Sequence, residues 1–534
     1  MILRWAGMVG IVALGTPALA SASGTDALDA PGSKSAPWLQ AAGDADMPLS
    51  KDSLFDISPA VKKPGATNSK KKAGSAPESK DDLFGIGTET EQSGKPAANA
   101  GGAPASKAAL FDEGLSTSST QDKATSRWHG FFQTEHAYTY SSPAHWSKVM
   151  GRLELGTEGS LGQGIHWKAS GRLDYNAVYD LTHFYQDSVR DDQRLGIQFR
   201  ETYLDFSGAG LDWRVGRQQI VWGEMVGVFV ADVVSAKDLR EFILPDFQVL
   251  RIPQWAARAE YFKNDFHAEL IWIPFPSYDK IGKPKDFSRP GAGADFYPYP
   301  PTPSGYPVVF KDEVFPGNRV GNSNYGLRLT QLINGWDMSG FVYNSMDSQA
   351  TFYRQLVSAP TPYFLYTPSH DRIWQTGGTL AKDLGSFVLK GEAVYTNGRR
   401  YNTLSLADSD GVVKQNTLDW IVGLDFNPSA RTRVNTQLYQ RIYFNHDPNI
   451  IPDRIENDVS LLVNHKFRHN WEAEALLVHS LNRSDWMFRP KVNWGFERNW
   501  RLTFGLDTFG GPPTGLFGQY NKQDRIYTEL RRDF

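Results

Sequence analysis

From residue 127 onward the chain alternates between apolar and polar positions. Trp167, Ala169, Gly171, Leu173, Tyr175 and Ala177 interleave with Lys168, Arg172, Asp174 and Asn176. Leu418, Trp420, Val422, Leu424 and Phe426 interleave with Asp419 and Asp425, and Trp500, Leu502, Phe504 and Leu506 with Arg501 and Asp507. The same period returns near residues 255–261, 387–395, 459–467 and 486–496. Period two belongs to strands with two unlike faces. The polar face carries charge of both signs on strand after strand. A soluble core would not bury such a face, but a strand between lipid and a wet lumen places it in water. The last strand repeats the rule: Ile526, Thr528, Leu530 and Phe534 share one face with Arg532, while Arg525, Glu529, Arg531 and Asp533 share the other.

The connections between these strands alternate short and long, with two short exceptions on the long side, Ser141–Ser147 and Asn482–Asp485. Short ones fall at 159–164, 207–210, 263–265, 334–335, 383–385, 427–430, 468–470 and 497–499, with aromatic residues such as Phe206, Trp213, Phe467, Trp471, Phe496 and Trp500 beside them. Longer ones lie near 180–193, 223–253, 276–321, 346–369, 397–414, 444–455 and 510–523. Short turns at one rim, long loops at the other and an aromatic girdle predict an all-β transmembrane antiparallel barrel. The count of segments gives about 18 strands, within a range of roughly 16–20, the uncertain one being a strand near Thr351–Ser358. A terminal Phe534 on an amphipathic strand resembles the signal by which bacterial outer-membrane barrels are recognised, so the barrel-assembly machinery and outer-membrane lipid are expected partners.

The first 126 residues differ. Residues 1–22 fit a secretory leader, with Arg4, a short apolar core from Met8 to Leu14 and small residues at Ala18, Ala20 and Ala22. Residues 23–126 are rich in Ala, Gly, Ser, Pro, Lys and Asp and hold too little apolar area to offset ordering entropy, so a disordered periplasmic tail is expected. Three motifs punctuate it: Lys51–Asp56, Lys80–Gly85 and Lys107–Asp112, each centred on a Leu-Phe pair (Leu54 and Phe55, Leu83 and Phe84, Leu110 and Phe111). One reading is a tethered three-copy docking motif for a periplasmic protein partner, each copy raising the effective concentration of the others. The other is low-complexity drift with transient helical turns.

One long connection, 223–253, is too apolar to wave in water. Folded into the lumen, it buries Phe229, Val233, Val234, Leu239, Phe242, Ile243 and Leu244; the alternative is an outer loop packed on its neighbours. Within it, Ser235–Phe242 reads as an N-capped helical turn. The lumen and constriction candidates are Arg217, Glu224, Phe229, Asp232, Asp238, Arg240 and Phe242, together with Arg431, Arg433 and Arg441, which share one parity. Those three arginines make either a positive stripe or a ladder paired with acids such as Glu472 and Glu474. The Pro- and Tyr-rich stretch 295–306 is a stacking surface or, the favoured reading, a stiff lid.

Gly216–Glu224, Ala231–Phe242 and Leu270–Pro274, with Leu516–Tyr520 and Arg525–Glu529 near the end, resemble an uncharacterised family of proteobacterial outer-membrane proteins classed only as a domain of unknown function. The resemblance covers roughly 127–534 and leaves out the tail. It implies a porin-like barrel, encoded beside large inner-membrane efflux-type permeases and a periplasmic protein similar to lipoprotein-sorting factors, and therefore movement of hydrophobic molecules across the envelope. It assigns no substrate and no catalytic residue.

Composition narrows the rest. Net charge is -3, which offers no electrostatic footprint for nucleic acid. The chain has no cysteine, so disulfides and thiolate metal sites do not arise. No nucleophile elbow and no H-E-x-x-H occurs, His129, His136, His145, His166 and His183 are scattered, and neither an enzyme nor a cofactor is expected. Asp187, Asp191 and Asp192, and Asp408 and Asp410, are weighed as calcium ligands, with solvated loop carboxylates as the favoured reading and no metal expected. The expected role is a Gram-negative outer-membrane channel for small hydrophobic or amphipathic molecules, coupled to a periplasmic or inner-membrane partner through the tail. The alternative is a plugged barrel that anchors a periplasmic assembly.

Overall fold

The computed structural model describes residues 127–534 apart from Glu224, Val226, Val228 and Ala359; the leader, the tail and its Leu-Phe motifs lie outside the described residues. Eighteen antiparallel strands close into a barrel. The first, Arg127–Thr139, pairs with the second, His145–Gly162, on one side and with the last, Arg525–Asp533, on the other. The Gly130 N–H donates to the Phe534 carbonyl and the Phe534 N–H to the Gly130 carbonyl, both at 2.9 Å. Closure leaves no unpaired strand edge.

The alternation of the sequence is the alternation of the wall. Ile197 and Phe199 are 76 % and 72 % exposed on the outside, whereas the neighbouring Arg200 is buried within. On the last strand Ile526 faces out, and Arg525 and Arg531 face in. At the short-turn rim the Trp471 and Trp494 rings stack at 5.1 Å, with Phe496 and Trp500 beside them. Large apolar side chains left outward in this way are what a hydrocarbon surround satisfies.

The two rims are unlike. Eight tight connections close one. At the other, the long loops fold against each other. Thr351–Val357 does form a strand, as the sequence allowed, but it pairs with Tyr363–Ser369 and joins Val308–Phe310 in a separate three-stranded sheet. Phe352, Phe364 and Tyr366 from that sheet share a buried cluster with Val178, Tyr185 and Val189 from a second loop and Ile281 and Tyr297 from a third. The Pro- and Tyr-rich stretch is thus packed into this rim, with Phe296 and Tyr297 both buried.

Candidate functional site

Between the strands Leu211–Gln218 and Gln254–Lys263 the chain turns into the barrel. Its first part lies against one stretch of wall. Ile220, Trp222, Met225, Val230, Ala231 and Val234 form a buried cluster with Phe341, Val394, Ile421 and Tyr439, which point inward from the ninth to thirteenth strands of the ring. Glu392, also inward, accepts the N–H of Met225 at 3.0 Å and of Ala231 at 2.7 Å. These two donors belong to no helix or strand, and one carboxylate accepts from both.

The second part lies against other stretches of wall. Phe229, Leu239, Phe242, Ile243, Leu244 and Leu250 join Val478, Met487 and Phe509 of the fifteenth to seventeenth strands. Basic wall residues hold its backbone. Arg489 donates to the carbonyls of Ile243 and Leu244, Arg172 to that of Val249, and Arg200 to those of Gln248 and Arg251. Lys148 donates to Glu241 at 2.6 Å and to Glu135 at 2.7 Å. Arg172 and Arg200 stand on the third and fourth strands of the ring, across from Val394 and Ile421. The inserted segment therefore spans the lumen.

The sequence-derived candidates separate into groups. Phe229 and Phe242 lie at the heart of the second cluster. Asp232 is buried and pairs with Arg251 at 2.9 Å. Asp238 receives both ends of the Arg240 fork, at 2.8 and 2.7 Å; burial opposes its charge, but Arg240 holds the carboxyl well below the usual range. Glu224 is outside the described residues. Arg217 pairs across the sheet with Trp255 and shares the outward face with Val215, so it does not belong to the lumen. Arg431 sits exposed in a short turn. Arg433 and Arg441 do face inward, but Asp425 takes Arg433 and Asp419 takes Arg441, so the stripe is a neutralised ladder. Its acids stand on the adjacent strand, whereas Glu474 pairs with Lys491 and Glu472 accepts from Asn464.

The helical turn expected at Ser235–Phe242 is absent. Ala236 and Lys237 pair in extended form with Ile252 and Arg251, and the Ser235 hydroxyl donates to the Ile220 carbonyl instead of capping. The Asp238 N–H goes to the Leu250 carbonyl and that of Leu239 to the Lys280 carbonyl. Partners supplied by the fold outcompete one local turn. The helical turn forms further on, at Phe247–Leu250. Sequence reasoning also missed the docking band itself. Its signal was present: Val394, Ile421, Met487 and Phe509 are apolar residues on the inward parity, beside the charged Glu392, Asp419, Arg489 and Asp507.

The segment leaves empty space on two sides. One space, about 920 Å³, lies between the segment, the loop rim and the far wall, and is lined by Phe229, Phe242, Ile243, Phe296, Val394 and Tyr520 among others. The second, about 740 Å³, is lined by charge, including Lys148, Arg152, Arg172, Asp174, Asp238 and Glu241.

Residues 144–436 match the family described as a protein of unknown function, DUF1302. The chain belongs to the DUF1302 family. No curated protein matches this DUF1302 chain. Among solved structures it is similar to OccAB1 of Acinetobacter baumannii, at 9 % identity over 77 % of this chain and 96 % of that one, with a TM-score of 0.46. It is also similar to Salmonella typhi OmpF in complex with daunomycin, at 10 % identity over 77 % and 98 % of the two chains, with a TM-score of 0.36. A third is Vibrio cholerae OmpT lacking loop L8, at 9 % identity over 77 % and 100 %, with a TM-score of 0.36.

Proposed function

We propose that this DUF1302 protein is an outer-membrane channel for small hydrophobic or amphipathic molecules, with residues 219–253 as its constriction. One observation supports the reading above all others. A closed barrel with an apolar outer face carries across its lumen a segment that is itself apolar on one side and bordered there by an empty, largely apolar space. A channel for bulk ions would gain nothing from such a segment. A solute that partitions onto apolar surface gains a place to rest between the rim and the lumen. In this reading the tail faces the periplasm and its Leu-Phe motifs dock a partner there.

The test is conductance of the full-length protein in planar bilayers, beside a variant lacking residues 225–250. Deletion of the segment raises single-channel conductance severalfold if it constricts a pore. Silence of both proteins would overturn the reading. A second reading, a plugged barrel that anchors a periplasmic assembly, is favoured by the number of wall residues that fasten the segment, Glu392, Arg172, Arg200 and Arg489 among them. It gains if both proteins are silent and deletion of residues 51–112 abolishes co-purification of a partner.

A further inference from the structure

Every strand of the ring has two neighbours, but one strand meets its second neighbour over only half its length. The fourth, Leu195–Gly208, pairs with the third from Leu195 to Asp205, and with the fifth only from Thr202 to Gly208. The fifth strand stops at Gln218, opposite Gln254, where the chain turns into the barrel and where it returns. Amide side chains seal that end. Gln218 Nε2 donates to the Arg214 and Ala256 carbonyls, both at 3.1 Å, and Gln254 Oε1 accepts from the Ser277 N–H at 2.8 Å. Among the described residues no strand pairs with residues 195–201 on that side. The outer face shows it: Ile197 and Phe199 are 76 % and 72 % exposed, against 57 % for Leu270 and Trp374, which have a strand on both sides. Residues 398–402 of the eleventh strand also lack one neighbour, but there Arg399, Tyr401 and Asn402 are buried, and Asn402 donates to the Phe352 carbonyl of the rim.

The bare stretch lies at membrane depth. Phe206, beside Trp213, belongs to the girdle near the short turns. At about 3.3 Å per residue and a tilt of roughly 40°, Phe199 stands about 18 Å above it and Ile197 about 23 Å, within an apolar band about 25 Å tall. Backbone without a neighbouring strand is tolerated at that depth only where protein covers it or where it lines a wet opening. Inside it stands the turn Phe247–Leu250 of the inserted segment, held by Arg200 through the Gln248 carbonyl, with Phe247 and Gln248 half-buried. A second sign lies just below. Arg217 faces outward between Thr202 and Trp255, and no partner for its guanidinium stands among the described residues. A cation on the lipid face near the middle of the bilayer is destabilising, and charge at this depth marks a polar pathway.

We propose that this break in the wall is a side entrance from the bilayer, through which an amphipathic molecule with one acidic group reaches the inserted segment, its apolar body passing Ile197 and Phe199 and its acid met by Arg217. An apolar body is already concentrated in the leaflet, and the packed long-loop rim is bypassed. A guanidinium fork suits a carboxylate. The proposal rests on the channel reading and gives that channel a route and a class of solute.

The chain has no cysteine, so a single introduced one can be capped cleanly. Full-length protein in lipid nanodiscs receives palmitic acid with a diazirine on its chain, in alkaline buffer that ionises the acid. Glutathione in the buffer consumes probe that arrives through water. After irradiation, peptides are read by mass spectrometry. Label is expected on residues 247–252 as well as on outward wall residues. A bulky maleimide on Phe199→Cys abolishes the label on 247–252, and the same cap on Leu270→Cys leaves it. The methyl ester of the probe labels 247–252 less than the acid does, and Arg217→Gln removes that difference. Folding of each variant is checked by heat-shifted gel mobility.

Absence of label on 247–252, equal loss with either cap, equal labelling by acid and ester, or a difference that survives Arg217→Gln overturns the proposal. If a variant fails to fold, the wild-type pattern with acid and ester decides. Conductance is judged apart: an unlabelled segment in a conducting barrel removes the entrance and leaves the channel, and a labelled segment in a silent barrel strikes the channel alone.

Discussion

The two parts of the inserted segment sit in the same lumen and are held by different physics. Ile220, Trp222, Met225, Val230, Ala231 and Val234 rest on an apolar band of the wall, and one carboxylate, Glu392, accepts the backbone donors of Met225 and Ala231. Residues 238–251 are held by cations that reach backbone carbonyls and by Glu241 among Lys148 and Arg525. The first arrangement is nearly insensitive to salt. The second answers to charge, although burial shields it from most screening. Two kinds of fastening allow one part to loosen while the other stays, which a single uniform plug would not permit.

The sharpest way to break that contrast is a pair of substitutions. Glu392→Met leaves two buried N–H groups without acceptors, at a cost of about 2–6 kcal/mol in all. Arg489→Met removes the donors to the Ile243 and Leu244 carbonyls while Asp507 keeps Arg525 at 2.9 Å. Hydrogen exchange read by mass spectrometry should rise around 225–231 in the first variant with little change around 243–250, and the reverse in the second. Equal loosening of both stretches by either variant would mean that the segment opens as one cooperative unit.

How much of this was open to a reader of the sequence depends on range. The barrel was legible because lipid and lumen impose period two on every strand, and because Gly-, Asn- and Asp-containing turns punctuate it. The inward parity of Arg525 and Arg531 on the last strand was legible as well. The inward fold of 223–253 was legible from its apolar content. Its detailed conformation was not. Ser235 looked like a cap because capping is local, but the Ile220 carbonyl took its hydroxyl and extended pairing with Arg251 and Ile252 took the backbone. Arg217 was misplaced because its charge suggested the lumen, whereas in its own regular strand it keeps the outward parity of Val215. Arg433 and Arg441 were seen to face inward, but their acids, Asp425 and Asp419, became visible only once the register of two strands was known.

A smaller effect sharpens the contrast where the two parts meet. The Lys237 N–H donates to Asp279 Oδ1 at 2.7 Å, so a carboxylate from another loop pins the junction. Burial pushes the Asp279 carboxyl up to about 6, with Lys237 opposing the rise and Asp347 adding to it. The fold thus prefers the protonated acid. Between about pH 4 and pH 6 the folded junction holds more proton than the open one, so stability falls as pH rises through that window, and above it the full penalty is present. A shift of this size corresponds to roughly 3 kcal/mol at most. Protection of the Lys237 amide, corrected for intrinsic exchange, should increase as pH falls from 7.5 toward 5. Asp279→Asn keeps an acceptor oxygen and should flatten the profile at the protected level. A wild-type profile that is already flat would show that the junction does not feel this carboxyl.

The smallest effect concerns a charge that only looks like a fastening. Arg240, in the second part of the segment, approaches the Asp192 carboxylate at 3.9 Å but donates to the Asp192 backbone carbonyl at 2.7 Å. Its strong partner is Asp238. If carbonyls rather than carboxylates are what basic residues use to hold this part, Asp192→Asn should leave the protection of residues 238–243 within about 1 kcal/mol of wild type. Asp187, meanwhile, is spent on Arg190 three residues on in the same short helix. With Asp187 and Asp192 directed to different cations, addition of millimolar calcium should not shift the thermal transition of either protein. A large loss of protection in Asp192→Asn would instead rank side-chain ion pairs beside the backbone contacts of Arg172, Arg200 and Arg489, and the distinction between the two parts would narrow to their apolar contacts alone.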